Sequence, residues 1–374
     1  MKFLVNCSNL KKGGGLQVAD SICCELHKYS SHFFLIVLSS FMNETRKRIE
    51  ANCPNSKIIT YNIKNSFSTI VRGRDFFLDS LVEENEIDAV LTVFGPSRWN
   101  PKCPHLCGFA RAHLVQSDSP YFLRMTRLGK IKEHIHNYLL KYYFERGGQY
   151  FWSENITVSE SLKRLFPPNY HFYTVTNYYN QIFDKPELYA SNNISSEYKG
   201  ITCLSISTYK DYKNFEIIPE MILILHRKHP DFKVRFLLTL NESELIIPEE
   251  IKDCFLFLGQ VDISYCPDLY QICDIVFVPT LLECFTASYP EAMKMEKPIV
   301  TTDLGFAKGL CGNAACYYKA LDAESAAEAL YKVAINRDFA SNLVEKGKRQ
   351  LLKYDNYEQR AEKLIRILET IIHN

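Results

Sequence analysis

The sequence predicts an α/β fold made of two doubly wound parallel sheets. Short apolar runs of strand type alternate with longer segments of helical periodicity, and this alternation is typical of parallel sheets covered by helices. The length of 374 residues exceeds what one hydrophobic core usually serves, so we expect two domains. Two such domains facing each other across a cleft would suit an enzyme that holds two substrates and excludes water.

Nine apolar runs are the predicted strands, and several of them end in residues that favour turns. Asn6, Gly95 and Pro279 lie at such ends. Ligands of open parallel sheets bind beyond the carboxyl ends of the strands, so the functional residues are expected there. The predicted strands are residues 3–5, 33–38, 89–94, 157–158, 201–205, 234–238, 255–257, 275–278 and 298–301.

The domain boundary is predicted near residue 186. Residues 177–200 form a polar stretch of weak periodicity that is typical of a linker. We therefore expect an N-terminal domain over residues 1–185 and a C-terminal domain over residues 186–354. Residues 355–374 contain the segment AEKLIRILETII, whose periodicity predicts a helix that could pack back on the N-terminal domain.

Composition narrows the class of protein. Forty-four Lys and Arg against 43 Asp and Glu leave a net charge of +1, which gives no general attraction to nucleic acid. Thirteen cysteines and a start without a signal-peptide core favour a reduced, cytoplasmic protein. Cys103, His105 and Cys107 lack a second ligand pair, so no metal site is expected. No apolar run is long enough to span a bilayer, so we expect a protein that is soluble or lies on a membrane surface.

The most informative segment is residues 274–303, in which Glu283 and Glu291 stand eight positions apart. Ser288 and Glu291 fit a capping box, with Pro290 in the first turn of the predicted helix. The preceding loop, residues 284–288, would then present backbone amides to an anion such as a diphosphate. The simpler alternative is that Glu291 only caps the helix and that Glu283 is a solvated loop residue.

This segment resembles the E-x7-E signature of the retaining, GT-B-fold glycosyltransferases of family 4. Pro279 before it and the run EAMKMEKPIVTTD after it are similar to the same family. Four further segments resemble family motifs in the same order: Gly13 to Gly15 with Leu16, Val158 to Glu160, Asn177, and Lys213 with Asn214. The resemblance therefore extends over most of the chain and implies the GT-B fold.

The resemblance implies roles for residues of the C-terminal domain. Lys213 would stabilise the charge of the leaving diphosphate, Glu283 would face the donor sugar, and Glu291 would hold the ribose hydroxyls. Many family members have an Arg where this chain has Ser207, and Lys210 could substitute without the bidentate geometry of Arg. The loop residues assigned to donor binding are Phe285, Thr286 and Ala287.

Two N-terminal segments complete the expected site. Gly14 and Gly15 follow the first predicted strand, where a nucleotide-binding turn belongs, although glycine triplets are also ordinary flexible turns. His113 is the first candidate for the histidine that lines the site in the family, and His105 is the second candidate. A histidine beside apolar residues is otherwise a structural, hydrogen-bonded residue.

The implied reaction is retaining transfer of a hexose from a UDP- or GDP-linked donor to a glycan or lipid-linked acceptor in polysaccharide synthesis. The donor phosphate would take the acceptor proton, and the protein would supply orientation and charge. The chain contains no Asp-x-Asp pair, so metal-independent action without a cofactor is expected. The alternatives are an epimerase or phosphorylase of the same fold and a non-catalytic nucleotide-sugar-binding subunit. A glycoside hydrolase would also use two carboxylates but would need no phosphate contacts, so the phosphate-directed features favour transfer.

Residues 124–146 combine Lys and Arg with aliphatic and aromatic residues at helical spacing. Such a helix could lie on an anionic membrane at the inner face of the cell, where a lipid-linked acceptor would be found. The alternative, which we favour from the sequence, is an amphipathic helix that covers the first sheet.

Overall fold

The structure, a computed structural model, describes residues 1–11, 13–53, 55–189 and 198–373. These residues form two compact units. Unit 1 contains Met1–Ser117, Met125–Asn177 and Asp355–Asn374, and unit 2 contains Asp118–Arg124 and Tyr178–Tyr354. No helix among the described residues is long and apolar enough to cross a bilayer.

Unit 1 is built on a seven-stranded parallel sheet in the order β3-β2-β1-β4-β5-β6-β7. The strand order reverses direction between β1 and β4, which places the switch point of the sheet there. The central strands β4 and β5 are buried along their whole length, and β2 is buried except at its first residue, as expected for a parallel sheet that is covered on both faces. The strands are β1 Lys2–Asn6, β2 Phe33–Leu38, β3 Ser56–Thr60, β4 Ala89–Thr92, β5 His105–Gly108, β6 Tyr150–Ser153 and β7 His171–Thr174.

Six helices of unit 1 connect these strands. Side chains cap three of them: Asp75, Thr126 and Asn155 each accept a hydrogen bond from an amide in the first turn. The helices are α1 Gly14–Glu25, α2 Asn43–Asn52, α3 Phe76–Glu84, α4 Ala112–Val115, α5 Arg127–Arg146 and α6 Ile156–Leu165.

Unit 2 repeats the architecture with six parallel strands in the order β10-β9-β8-β11-β12-β13, so its switch point lies between β8 and β11. The strands are β8 Ile201–Ser205, β9 Val234–Leu238, β10 Phe255–Phe257, β11 Ile275–Val278, β12 Ile299–Thr302 and β13 Ala315–Tyr318. The helices are α7 Ile217–Lys228, α8 Cys266–Ile272, α9 Ser288–Lys294, α10 Gly305–Cys311, α11 Ala323–Ile335 and α12 Arg337–Leu351.

The last helix, α13 Tyr357–Ile372, begins with a complete capping box formed by Asn356 and Gln359. Its buried residues Leu364, Ile365, Leu368 and Ile371 join the core that surrounds β1, β2 and α1. Helix α13 therefore belongs to unit 1, although it follows unit 2 in the chain.

One predicted strand is wrong. Thr157 and Val158 lie in α6, because Asn155 caps a helix that begins at Ile156, and the strand is the preceding segment Tyr150–Ser153. Ser159, from the segment that resembles a family motif, is a buried helical residue whose hydroxyl bonds those of Ser153 and Thr174 at 2.8 Å each.

The division into units differs from the predicted boundary for residues 178–185, which lie in unit 2. Their contacts explain this: Phe183 packs edge-on against Tyr270 with ring centroids 5.5 Å apart, and Asp184 accepts a hydrogen bond of 2.8 Å from Lys294. Lys294 also lies over the ring of Tyr179. The part of the predicted linker over residues 190–197 lies outside the described residues.

Candidate functional site

The candidate site of unit 2 lies where β8 and β11 end side by side. These two strands flank the switch point, so the loops that follow them start at the same edge of the sheet. Hydrogen bonds join the two loops: Leu281 N donates to Tyr212 O at 2.7 Å, and Thr280 Oγ1 donates to Tyr212 O at 3.3 Å. Sequence segments 70 residues apart are thereby held together.

Lys213 and Glu283 meet in this corner as a hydrogen-bonded ion pair between Nζ and Oε1. Their side chains are 16% and 14% exposed, so the pair is largely shielded from water but keeps some surface that a ligand can contact. Asn214 supports the turn after Lys213 with a left-handed backbone at φ 56°, and its side-chain amide reaches Pro279 O at 3.4 Å. The structure thus brings together two residues that the sequence predicted separately.

Glu291 lies on α9 and is buried. The predicted capping box is wrong: α9 begins at Ser288 after Ala287, no side chain caps it, and Ser288 Oγ instead faces Ile206 O at 3.4 Å. The Glu291 carboxylate accepts a 2.8 Å hydrogen bond from the Tyr270 hydroxyl. Burial raises the pKa of Glu291 to about 7, against the opposing effect of that hydrogen bond.

The loop between the two glutamates presents backbone donors. The amides of Phe285, Thr286 and Ala287 donate to no group among the described residues. Phe285 is held edge-on against Tyr354 with ring centroids 6.3 Å apart, and Thr286 is buried. Oriented, unpaired amides of this kind can bind an anion.

Lys210 and Ser207 lie on the loop after β8 but apart from this pairing. Lys210 is exposed and forms no hydrogen bond or ion pair with Glu283 or Glu291 in the described part of the chain. Ser207 is tied to the end of β9, since its amide donates to Thr239 Oγ1 at 2.9 Å. Its hydroxyl donates to the carbonyl of the next residue at 3.2 Å.

The segment Asp118–Arg124 belongs to unit 2 although it lies within the N-terminal half of the sequence. Ser119 Oγ donates to Leu281 O at 2.6 Å, and Arg124 donates to Asn214 Oδ1 at 2.8 Å. The ring of Tyr121 meets that of Tyr212 edge-on. Sequence analysis missed this segment, Thr280 and Tyr270, because nothing in the local pattern indicates such long-range partners.

The glycine turn of unit 1 precedes α1. Gly13 is the N-cap with φ 75°, a conformation that favours glycine. A Cβ at Gly14 would meet nothing within 4 Å, and one at Gly15 would only touch Leu10 and Phe94 at 3.6 Å. The turn therefore favours glycine at position 13. Gly14 and Gly15 are the first two residues of α1, and open space adjoins Gly14.

The two candidate histidines have different environments in unit 1. His105 is buried between Gly147 O at 2.5 Å and Thr92 Oγ1 at 2.8 Å, and burial lowers its pKa to about 4. His105 is therefore a neutral structural residue. His113 lies half-buried on α4, where burial lowers its pKa and Glu133 partly opposes that shift.

Cys103, His105 and Cys107 do not form a ligand cluster. Within the described ranges, no three His, Cys, Asp or Glu side chains gather as they would around a metal ion.

Residues 189–350 match the family model described as Glycosyl transferases group 1. No curated protein sequence matches the chain.

Solved structures resemble the chain over its whole length. A glycosyltransferase from Rickettsia africae is 15% identical with a TM-score of 0.67, and the match covers 100% of this chain and 98% of that one. Sucrose-phosphate synthase from Thermosynechococcus elongatus is 12% identical with a TM-score of 0.70 and coverages of 100% and 99%. HepE from Anabaena, solved with UDP-glucose, is 12% identical with a TM-score of 0.68 and coverages of 99% for both chains. The chain therefore has the GT-B fold, and its residues 189–350 carry a Glycosyl transferases group 1 domain.

Proposed function

We propose that the protein is a retaining glycosyltransferase of family 4 that moves a hexose from a nucleotide diphosphate sugar to a glycan or lipid-linked acceptor. The observation that carries the proposal is the Lys213–Glu283 pair at the switch point of unit 2, within the segment that matches the group 1 family model. Ligands bind at such switch points in doubly wound sheets. HepE, which shares the fold, was solved with UDP-glucose, which supports a UDP-linked donor.

The roles follow from the geometry of the two loops. Lys213 stabilises the negative charge that grows on the diphosphate as the bond to the sugar breaks, and the amides of Phe285, Thr286 and Ala287 bind the same group. Glu283, already beside Lys213, faces the donor sugar. Glu291 accepts hydrogen bonds from the ribose hydroxyls next to its present donor, Tyr270.

The transfer step is proposed to take place on one face of the sugar. The anomeric C–O bond to the diphosphate breaks, the acceptor oxygen bonds to the same carbon, and the acceptor proton passes to the diphosphate oxygen. Gly14, Gly15 and His113 of unit 1 are proposed to contact the substrates, and Lys210 to contribute charge. The reaction so written needs neither a metal ion nor a cofactor.

The test is turnover of a panel of UDP- and GDP-sugars with released nucleoside diphosphate as the readout. We expect release from at least one donor that rises when an acceptor is added, with the product in the same anomeric configuration as the donor by NMR. An inverted product would contradict the retaining assignment. Release with no acceptor dependence would point to hydrolysis.

A non-catalytic nucleotide-sugar-binding subunit is the second candidate, and Ser207 is the observation that favours it. The Ser207 hydroxyl donates to the carbonyl of Thr208, and a serine supplies no cation where many family members have Arg. Binding of a nucleoside diphosphate without turnover of any donor would establish this alternative.

A further inference from the structure

Helix α5 exposes a continuous apolar surface. At 3.6 residues per turn, its exposed apolar side chains fall within about 100° of one another around the helix axis. Tyr138 and Leu128 are 71% and 72% exposed, which is far from the burial expected of an ordinary covering helix. The α5 apolar surface consists of Leu128, Ile131, Ile135, Tyr138, Leu139 and Tyr142.

A different side of α5 packs on unit 1. Leu140 and Phe144 are the buried residues of the helix, and the Asn137 side chain donates to His113 O at 3.0 Å. These three positions lie roughly opposite the α5 apolar surface by helical geometry. One side of the helix thus packs on unit 1, in line with the covering helix that we favoured from the sequence. The helix also has a second apolar side, which this packing leaves exposed.

The surface extends beyond the helix at its C-terminal end. Arg146 donates to the carbonyls of Thr69, Ile70 and Val71 at 2.7 to 3.1 Å, and its guanidinium lies 5.5 Å from the centre of the Tyr142 ring. Val71 is 51% exposed. Through these bonds Arg146 links the loop that carries Val71, a further exposed apolar residue, to the end of the α5 apolar surface.

Cations border this surface. Arg127 and Lys132 flank the two sides of the apolar arc, and Arg72 is next to Val71 in the chain. All three are exposed, and none forms an ion pair within the described residues. An apolar strip edged by free cations matches the chemistry of a bilayer surface with anionic headgroups, into which such helices insert their apolar side.

We propose that unit 1 binds the surface of an anionic lipid bilayer through the α5 apolar surface, with Arg72, Arg127 and Lys132 at the headgroups. A second copy of the chain fits less well, because a symmetric pairing through α5 would bring the same cations together. The inference goes beyond the transfer reaction. Of the two acceptor classes in the proposed function it selects the lipid-linked one, and that consequence rests on the proposed function.

The test is co-sedimentation of the full chain with phosphatidylcholine vesicles that contain or lack phosphatidylglycerol. We expect binding to the anionic vesicles that weakens in high salt. Ile131→Gln/Ile135→Gln should lower the partition coefficient at least about tenfold, since the apolar contacts are lost while helix propensity is kept. Arg127→Gln/Lys132→Gln should lower it about fivefold for each cation removed.

Matched controls come from unit 2. Ile246→Gln changes a side chain that is 94% exposed, and Arg337→Gln/Arg349→Gln removes two exposed cations; both should bind like the wild type. Equal binding by the α5 variants and the controls would overturn the inference, as would absence of binding to anionic vesicles. A dimer that dissociates in the Ile131→Gln/Ile135→Gln variant, without vesicle binding by the wild type, would assign the surface to a second copy.

This assay needs neither donor nor acceptor, so its outcome is independent of catalysis. If the wild type turned over a donor but did not bind vesicles, only the membrane-binding proposal would be overturned. If it bound vesicles but turned over no donor, only the proposed function would be contradicted.

Discussion

At the scale of single residues, the site depends on how three charged groups share one corner of unit 2. Lys213 is paired with Glu283, whereas Glu291 is buried with a pKa raised to about 7. Two carboxylates of one motif thus have different electrostatic environments, one beside a cation and one in an apolar surrounding. This difference leads to separate predictions for each.

Glu283→Gln should lower donor turnover without weakening the binding of free UDP or GDP. The substitution removes a negative charge beside Lys213, so the anionic diphosphate gains attraction, while the contact with the donor sugar is altered. Calorimetric titration with the nucleotides, together with turnover of the best donor, checks both halves. Weaker nucleotide binding would show that Glu283 is not the sugar-facing residue.

Glu291→Gln should change how stability depends on pH. The folded state holds a proton on Glu291 up to a pH of about 7, while the unfolded state loses it near the usual value of 4.5. This group therefore stabilises fully below pH 4.5, and that contribution is lost as pH rises through 7. Relative to wild type, the variant should gain about 1 to 3 kcal/mol between pH 5 and pH 8.

Scanning calorimetry at the two pH values measures that difference. A constant difference between variant and wild type would mean that Glu291 titrates normally. Tyr270→Phe is the companion variant, because it keeps Glu291 but removes the hydroxyl that donates to it at 2.8 Å. Tyr270→Phe should raise the pKa of Glu291, so the pH range over which its stabilising contribution is lost should move to higher pH.

At the scale of elements, α13 links the end of the chain to the core of unit 1. Leu368 is 1% exposed within that core, and Leu352, just after α12, is 85% exposed. The two residues have the same side chain, buried at one position and exposed at the other, so substitutions at them form a matched pair.

Leu368→Ala should destabilise unit 1 by about 3 kcal/mol through lost burial and the cavity left behind. Leu352→Ala should change stability by less than about 0.5 kcal/mol. Urea unfolding followed by tryptophan fluorescence reports on unit 1, because both tryptophans of the chain, Trp99 and Trp152, are buried there. Equal effects of the two substitutions would contradict the packing of α13 on unit 1.

The sequence identified strands where apolar runs were long or rich in β-branched residues, as in Phe33–Leu38 and Ile275–Val278. It missed five strands whose apolar runs are short and flanked or interrupted by polar or small residues. They are Ser56–Thr60, His105–Gly108, Tyr150–Ser153, His171–Thr174 and Ala315–Tyr318. It misplaced a strand at Thr157, where the cap at Asn155 prevailed over the β-branched pair. Local patterns carry no information about which distant elements meet.

The candidate site was also predicted only in part from the sequence. Lys213 and Glu283 follow neighbouring strands, so the rule for switch points and the family resemblance together indicated their meeting. The Tyr270–Glu291 bond depends on the packing of α8 against α9, and the place of Ser119 beside Leu281 depends on the path of a loop. Neither follows from spacing.

At the scale of the whole molecule, two units of the same architecture occur in one chain. Unit 2 contains the Lys213–Glu283 pair and the free amides of the following loop, and unit 1 contains the glycine turn, His113 and the α5 apolar surface. We propose that the corner at the switch point of unit 2 carries the transfer reaction.

The most direct test compares wild type and Lys213→Ala in release of nucleoside diphosphate from the best donor of the panel. Lys210→Ala serves as control, because the Lys210 side chain is exposed and forms no hydrogen bond or ion pair with Lys213 or Glu283 among the described residues. The backbone bond from the Lys213 amide to the Lys210 carbonyl does not depend on that side chain. We predict a loss of turnover of about 10² or more for Lys213→Ala, comparable to removal of one oxyanion donor, and a smaller loss for Lys210→Ala. Unchanged turnover in Lys213→Ala, in a protein that still unfolds at the wild-type temperature, would contradict the account.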